Sequence, residues 1–348
     1  MVIHIASVSV DPADSHDSRE PMIYEEFASD LPRDRTFSFT SAEEMEEELL
    51  RSGVYQPMRQ MGKGEFRAHL AALSTEQGDL FSDRYSTAIS LYLEPPAGMF
   101  GILFPRSASG HFLACGDDVG NDKLIVSRSG CGVDVVGPSL VGSEAMTVPE
   151  VRFIEMLEVL SPTAERSENV VILEGNTAEL HELRNAVAGL IAQPELDPNG
   201  EQVANLIGQT IAWIGDSCSQ FGLERLTRNA ARSRVAKLAQ EFIEEHYRER
   251  VCIEDLCRIT GVGVRTLQRC FRGYFNFTVT DYLNTVRLDS ARRELAAAHP
   301  SQDSVAKIAL RNGCTHIGRF SVKFRSHFGE SASDTLARRS DRKSARPN

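Results

Sequence analysis

Between Gly261 and Phe275 the chain reads GVGVRTLQRCFRGYF, with cations at Arg265, Arg269 and Arg272 and no Asp or Glu. A guanidinium is a planar fork of N–H donors that fits a phosphate, or the O6/N7 edge of guanine, at two points; the Gln268 carboxamide can do the same for adenine. At about 100° per residue, a helix gathers Val264, Leu267, Cys270 and Phe271 on one side and Arg265, Gln268, Arg269 and Arg272 on the other. A merely solvated face usually mixes charges of both signs, whereas this one offers no partner for its own. The residue types are those a DNA major groove requires.

Elements that would position them can be read on either side. IEDLCRITG ends at Gly261, suited to the left-handed residue that closes a helix, and Gly263 opens the next. Helix, tight turn and helix make a helix-turn-helix. After a long helix, DYLNTVRLDSARRELAAA, the arrangement recurs: SVAKIALRNG closes at Gly313, Thr315 caps, and HIGRFSVKFRSHFG runs to Gly329. Here Ile317, Phe320, Phe324 and Phe328 form the buried stripe. Gly318, Ser321, Val322 and Arg325 face outward, flanked by Arg319 and Lys323. Two such units on one rigid helix would reach successive major grooves, about 34 Å apart.

The 348-residue chain has a formal net charge of −11, divided unevenly: residues 228–348 carry 23 Lys and Arg against 13 Asp and Glu, and residues 1–227 carry 15 against 36. A module of charge +10 joined to one of −21 implies that only the C-terminal third meets a polyanion. No apolar run approaches membrane-spanning length and the N-terminus lacks export features, so a cytoplasmic protein with no membrane partner is expected. Seven scattered cysteines without a Cys-x-x-Cys pair read as reduced residues, with Cys257, Cys270 and Cys314 at buried helix positions.

Upstream, the first 35 or so residues are polar and aperiodic, and FTSAEEMEEELL reads as a helix capped by Thr40 or Ser41. From Phe66 to Val141 short β-rich runs follow, including TAISLYLE, FGILF, KLIVSR and VDVVG, which predict a small antiparallel barrel or sandwich with room for a small ligand. Helical stripes return: Val148, Val151, Ile154, Leu157 and Leu160; then Leu180, Leu183, Val187, Leu190 and Ile191; then Val203, Ile207, Ile211 and Ile214.

RTLQRCF, RLDSARREL and VAKIALRNGCTHIGRFSVKFRSHFG resemble the signature of the AraC/XylS family of bacterial transcription regulators, over Arg234 to Leu336. GKGEFRAHL and THIGRF resemble, more narrowly, the branch containing the ethanolamine-operon regulator. The resemblance implies an α+β multidomain protein: a cupin-like antiparallel β-barrel with dimerisation helices that binds a small molecule, and an all-α domain with two helix-turn-helix units that binds promoter DNA, usually to activate transcription. It implies a homodimer, with RNA polymerase as a further partner. The boundaries expected are a poorly ordered lead-in (1–35), sensor barrel (36–146), helical dimerisation region (147–226), linker (227–233), DNA-binding domain (234–336) and basic tail (337–348). Carried across by position, base reading falls on Arg265, Thr266, Gln268 and Arg269, and on Ile317, Gly318, Ser321 and Val322. Relatives often have Arg or Gln where Val322 stands, so the first unit should supply most direct readout. Arg319, Lys323 and Arg325 are expected mainly as backbone contacts, and Arg272 completes the expected DNA-binding set.

Cupin-like barrels also host metal-dependent oxygenases, which need two or three histidines and a carboxylate at close spacing. The barrel region offers only His69 and His111, and HFLAC would place His111 and Cys115 on one strand face as an isolated pair. The alkylation-response type of regulator would need a four-cysteine cluster that is missing here. Neither a catalytic residue, a cofactor nor a metal is expected. For the effector, Tyr85, Tyr92, Phe100, Phe104, Phe112 and Trp213 are possible pocket residues or core; Arg84, Arg106 and Arg128 would suit an anion, and Asp117, Asp118 and Asp134 an amine.

Overall fold

The structure, a computed structural model, describes residues 20–32, 36–108, 110–160, 171–197, 199–221, 224–225 and 230–344. The chain divides into two compact units, Met1–Met58 with Arg67–Arg228, and Arg59–Phe66 with Asn229–Asn348.

The first unit begins with α1 (Glu20–Phe27), β1 (Thr36–Phe39) and α2 (Ala42–Arg51). Ser41 caps α2, its side chain accepting from the Glu44 N–H, while the Glu44 carboxylate accepts from the Thr40 N–H. The strands follow as β2 (Met58–Gln60), β3 (Ala68–Thr75), β4 (Gly78–Tyr85), β5 (Ile89–Leu93), β6 (Met99–Ser107), β7 (Leu113–Ala114), β8 (Asp117–Asp118), β9 (Lys123–Arg128), β10 (Val133–Gly137) and β11 (Val141–Pro149). After α3 (Glu150–Leu160) come β12 (Val171–Glu174), α4 (Thr177–Ala192), α5 (Glu201–Phe221) and β13 (Glu224–Arg225).

Two sheets result, of orders β1-β3-β4-β11-β6-β9-β12-β13 and β2-β5-β10-β7-β8. Neither returns on itself, so the expected closed barrel is corrected to two open antiparallel sheets. Closure is replaced by cover: Phe153 of α3, Leu180, Leu183 and Val187 of α4, and Val203, Ile207, Ile211 and Ile214 of α5 bury against Leu80, Ile102, Leu124 and Met146 of the larger sheet. The first helical stripe holds in part: Ile154 and Leu157 pack half-buried against this core, while its ends are corrected. Val148 belongs to β11, and Val151 is 70% exposed and Leu160 45%. Phe153 carries the burial of α3 instead, stacked on Phe100 at 4.1 Å.

α1 lies within the stretch expected as lead-in; its Tyr24 is buried, with its hydroxyl donating to the Arg84 carbonyl at 3.1 Å. Residues 1–19 and, of the expected linker, 227–229 lie outside the described residues.

The second unit is helical: α6 (Ala230–His246), α7 (Ile253–Thr260), α8 (Val264–Phe275), α9 (Val279–Ala297), α10 (Val305–Arg311), α11 (Ile317–Phe328) and α12 (Ala332–Ser344). Phe271 and Phe275 of α8 pack on Tyr282 of α9, with centroids 5.3 and 5.2 Å apart. Phe320, Phe324 and Phe328 of α11 bury against Leu288, Ala291 and Leu295 at the other end of α9. The early segment Arg59–Phe66 belongs to this unit. Arg59 pairs with Glu244 at 3.0 Å and Asp289 at 3.5 Å, and Gln60 Nε2 donates to the His327 carbonyl at 2.7 Å.

Candidate nucleic-acid interface

Each exposed helix of the second unit is set by a glycine behind it. α7 closes on Gly261 at φ 70°, a left-handed conformation that costs glycine nothing. Gly313, at φ 75°, also has no room for a side chain, because a Cβ there would lie 2.6 Å from the Tyr247 carbonyl oxygen. The N-caps are weak: Gly263 gives α8 no side-chain hydrogen bond, and α11 starts at an unbonded His316 cap rather than the expected Thr315.

On α8, Leu267, Cys270, Phe271, Tyr274 and Phe275 are buried. Arg265, Arg269 and Arg272 are exposed, with Thr266 and Gln268 half-buried between them. Val264, expected on the buried side, is 49% exposed, because at the helix's first position no neighbouring element covers it. On α11, Phe320, Phe324 and Phe328 turn inward with His327, while Gly318, Arg319, Ser321, Val322, Lys323 and Arg325 are exposed. Ile317 is half-buried against the core. Of the three cysteines expected to be buried, Cys270 is; Cys257 and Cys314 keep partial exposure.

Two sets of cations stand out in this unit. Arg59, Arg258, Arg292, Arg293, Arg311 and Arg338 all pair with carboxylates. Arg265, Arg269, Arg272, Arg319, Lys323 and Arg325 make no ion pair with a carboxylate among the described residues. Of the first set, Arg311 joins α10 to α9, Arg59 reaches α6 and α9, and Arg258 and Arg293 pair within their own helices; the second set is held outward with no ion pair among the described residues. Beside α11, a recess of about 160 Å³ is lined by Arg287, His316, Arg319 and Lys323 together with Asn284 and Thr315, with no Asp or Glu. Four basic side chains around a space of that size suit a phosphate. The sequence reading missed Arg287 and His316, whose signal was weak: Arg287 sits in a helix taken as a spacer, and His316 immediately precedes α11.

In the first unit the expected pocket residues scatter. Tyr85, Phe100, Phe104, Phe112 and Trp213 are buried core. Arg84 is fully buried and bonds Glu144 at 2.6 Å and Asp30 at 2.8 Å, and Arg106 reaches the same two carboxylates at 3.4 and 2.7 Å. Arg128 pairs with Glu150. His111 and Cys115 do not share a strand, since β7 holds only Leu113 and Ala114; His111 is exposed and pairs with Asp118. No group of three or more His, Cys, Asp or Glu suited to a metal occurs among the described residues. A cavity of about 130 Å³ is instead lined by Leu49, Tyr55, Phe81, Leu93, Ile125 and others, with Asp79, Asp83 and Glu94 as its charged groups.

A family model described as a helix-turn-helix domain matches residues 256–338. By its C-terminal domain, the chain is similar to regulators of the AraC/XylS family. Among curated relatives, it is 33% identical to the probable thc operon regulatory protein of Rhodococcus erythropolis over 29% of this chain and 31% of that one. It is 32% identical to XylDLEGF operon transcriptional activator 1 of Pseudomonas putida, over 34% of this chain and 37% of the other. The chain thus spans about a third of the length of these relatives. A solved structure of a probable AraC family transcriptional regulator from Rhodopseudomonas palustris is 30% identical and covers 32% of this chain and 98% of its own, with a TM-score of 0.29. The narrower likeness to the ethanolamine-operon regulator rests on its two motifs alone.

Proposed function

We propose that this protein is a sequence-specific DNA-binding regulator that activates transcription in response to a small molecule held in its N-terminal unit. The observation that carries the reading is the outward set of cations on α8 and α11, which make no ion pair among the described residues, in a unit where Arg258, Arg292 and Arg311 pair with carboxylates and Arg287 bonds a backbone carbonyl. Each helix pair acts as a helix-turn-helix reader. Arg265, Thr266, Gln268 and Arg269 read base edges; Gly318, Ser321 and Val322 let α11 approach the groove closely and add apolar contact. Arg272, Arg319, Lys323 and Arg325 hold backbone phosphates, one of them at the recess beside Arg287. The relatives' names, operon regulator and transcriptional activator, support the activating sense. A homodimer that presents its readers differently when the cavity is filled, and that contacts RNA polymerase, completes the scheme.

The test is selection of duplexes by the full chain from a random library. A regulator enriches one short sequence and holds it in a salt-dependent way. Retention without any enriched sequence would leave a non-specific DNA-binding protein, and no retention at low salt would end the proposal.

A further inference from the structure

The cavity of the first unit has a chemistry more specific than its size. Its walls are mostly aliphatic, and its lining contains Asp79, Asp83 and Glu94 but no Lys, Arg or His. β4 pairs with β11 so that Asp79 faces Thr147, Phe81 faces Ala145 and Asp83 faces Ser143. All six line the cavity, and one wall therefore alternates acid, ring and acid.

Among the described residues neither of these two carboxylates forms an ion pair, although the neighbouring Arg84 charge acts on Asp83 against the effect of its burial. Asp83 accepts from the Ser143 N–H at 2.7 Å and from its hydroxyl at 3.0 Å, and Asp79 accepts from the Thr147 hydroxyl at 3.1 Å. A carboxylate has about four lone-pair sites, so both retain acceptor capacity. By accessible surface Asp83 is only half-buried, yet protein surrounds it closely enough that burial pushes its carboxyl up to about 7. The two facts agree if the surface it keeps faces the cavity.

We infer that the small molecule sensed by this unit is a protonated amine carried on an apolar body of about one ring, with the ammonium on Asp83. The inference rests on the reading of this unit as the sensor. An anion would meet only acidic groups, since Arg84 and Arg106 are already committed to Asp30 and Glu144. A wholly apolar occupant would strip water from Asp83 and return nothing for it. A metal ion shared by the two aspartates is excluded by spacing, because residues four apart on one strand are about 13 Å apart. For size, an engineered apolar cavity of about 150 Å³ takes benzene, comparable with the 130 Å³ here. The charge of −21 on residues 1–227 draws cations toward this unit from a distance.

The experiment is calorimetric titration of the full chain with benzylamine, 2-phenylethylamine and 3-phenylpropylamine, against 2-phenylethanol and 3-phenylpropionate. The result expected is that at least one amine binds roughly ten- to a hundredfold more tightly than the alcohol, as a charge-assisted hydrogen bond in a buried site allows, while the acid does not bind. Asp83→Asn should bring the amine down to the alcohol's affinity, and Ala145→Phe should abolish both by filling the cavity. Retention of the selected duplex shows that each variant's DNA-binding unit is folded, and a melting curve does so for the sensor. The inference is overturned if no amine binds, if the acid binds as well as the amines, or if Asp83→Asn leaves amine affinity intact. A separate readout, duplex affinity with ligand present, tests the sensor reading. If the acid or alcohol binds better and shifts it, the sensor stands and the amine falls; if an amine binds without shifting it, the ligand class stands and the sensing role falls.

Discussion

Arg269 and Lys323 carry the same charge and the same exposure, yet their expected roles differ. Arg269 sits mid-helix on α8 beside Gln268, where a fork can meet a base edge; Lys323 lines the basic recess with Arg287. Arg269→Ala should cost about 1–3 kcal/mol on the selected duplex and relax preference at one base pair, whereas Lys323→Ala should weaken all sequences alike and flatten the salt dependence by about one unit of slope. Binding isotherms at several salt concentrations, on the selected duplex and on single-base variants, separate the two. Glu144 shows the opposite use of charge. It is fully buried between Arg84 and Arg106, so Glu144→Ala leaves a buried guanidinium short of its partner and should cost the first unit about 3–5 kcal/mol in denaturant unfolding. Residue type alone did not distinguish Arg84, which is buried and paired, from Arg269, which is exposed and makes no ion pair among the described residues. The deciding fact is which carboxylates lie nearby, and Asp30 and Glu144 come from distant positions.

At the level of elements, the C-terminal helices were legible because each carries its own start, stop and apolar stripe: Gly261, Gly313 and Gly329 close turns, and Phe320, Phe324 and Phe328 repeat at helical spacing. The sheets were legible as strands, but not as open layers. β11 escaped notice because Val148 keeps period with later residues, and its pairing with both β4 and β6 is a non-local fact. The cavity wall was missed for the same reason, since Asp79 and Asp83 become neighbours of Thr147 and Ser143 only through that pairing. Least legible was the segment Arg59–Phe66, whose residues complete the helical unit. There burial, helped by the charges of Arg292 and Lys63, pushes the His327 imidazole below its ordinary 6.5, against the opposing pull of the Gln60 carbonyl it bonds and of Asp289. Its neutral form is the one the fold holds, so its contribution is complete above about pH 6.5 and is lost as pH falls below that. For Asp83 the sign reverses. Its carboxyl, raised by burial to about 7 from 3.8, disfavours the folded state as it ionises, so the first unit loses stability as pH rises from about 4 through 7. Acidification from pH 7.5 to 5.5 should therefore lower the melting temperature of the helical unit and raise that of the sheet unit, with His327→Gln and Asp83→Asn each flattening its own profile. Circular dichroism at helix- and strand-sensitive wavelengths follows the two.

For the whole molecule the question is whether position or net charge governs its meeting with DNA. A chain of charge −11 should be repelled by a duplex on average, yet counterion release depends on the cations that touch phosphates and not on the sum. Changing Arg319, Lys323 and Arg325 together to Gln takes the net charge to −14, and so does changing Arg51, Lys123 and Arg258, whose side chains pair with Glu48, Glu174 and Asp255. The first triple should flatten the slope of log K against log salt by about 2.7, since each phosphate contact contributes about 0.9. The second should leave the slope where it is, because its members are already neutralised by neighbours and exposed pairs of this kind contribute little. Equal losses in the two triples would mean that the acidic chain approaches DNA through its overall field, and the division of the arginines into bracing and reading sets would lose its meaning.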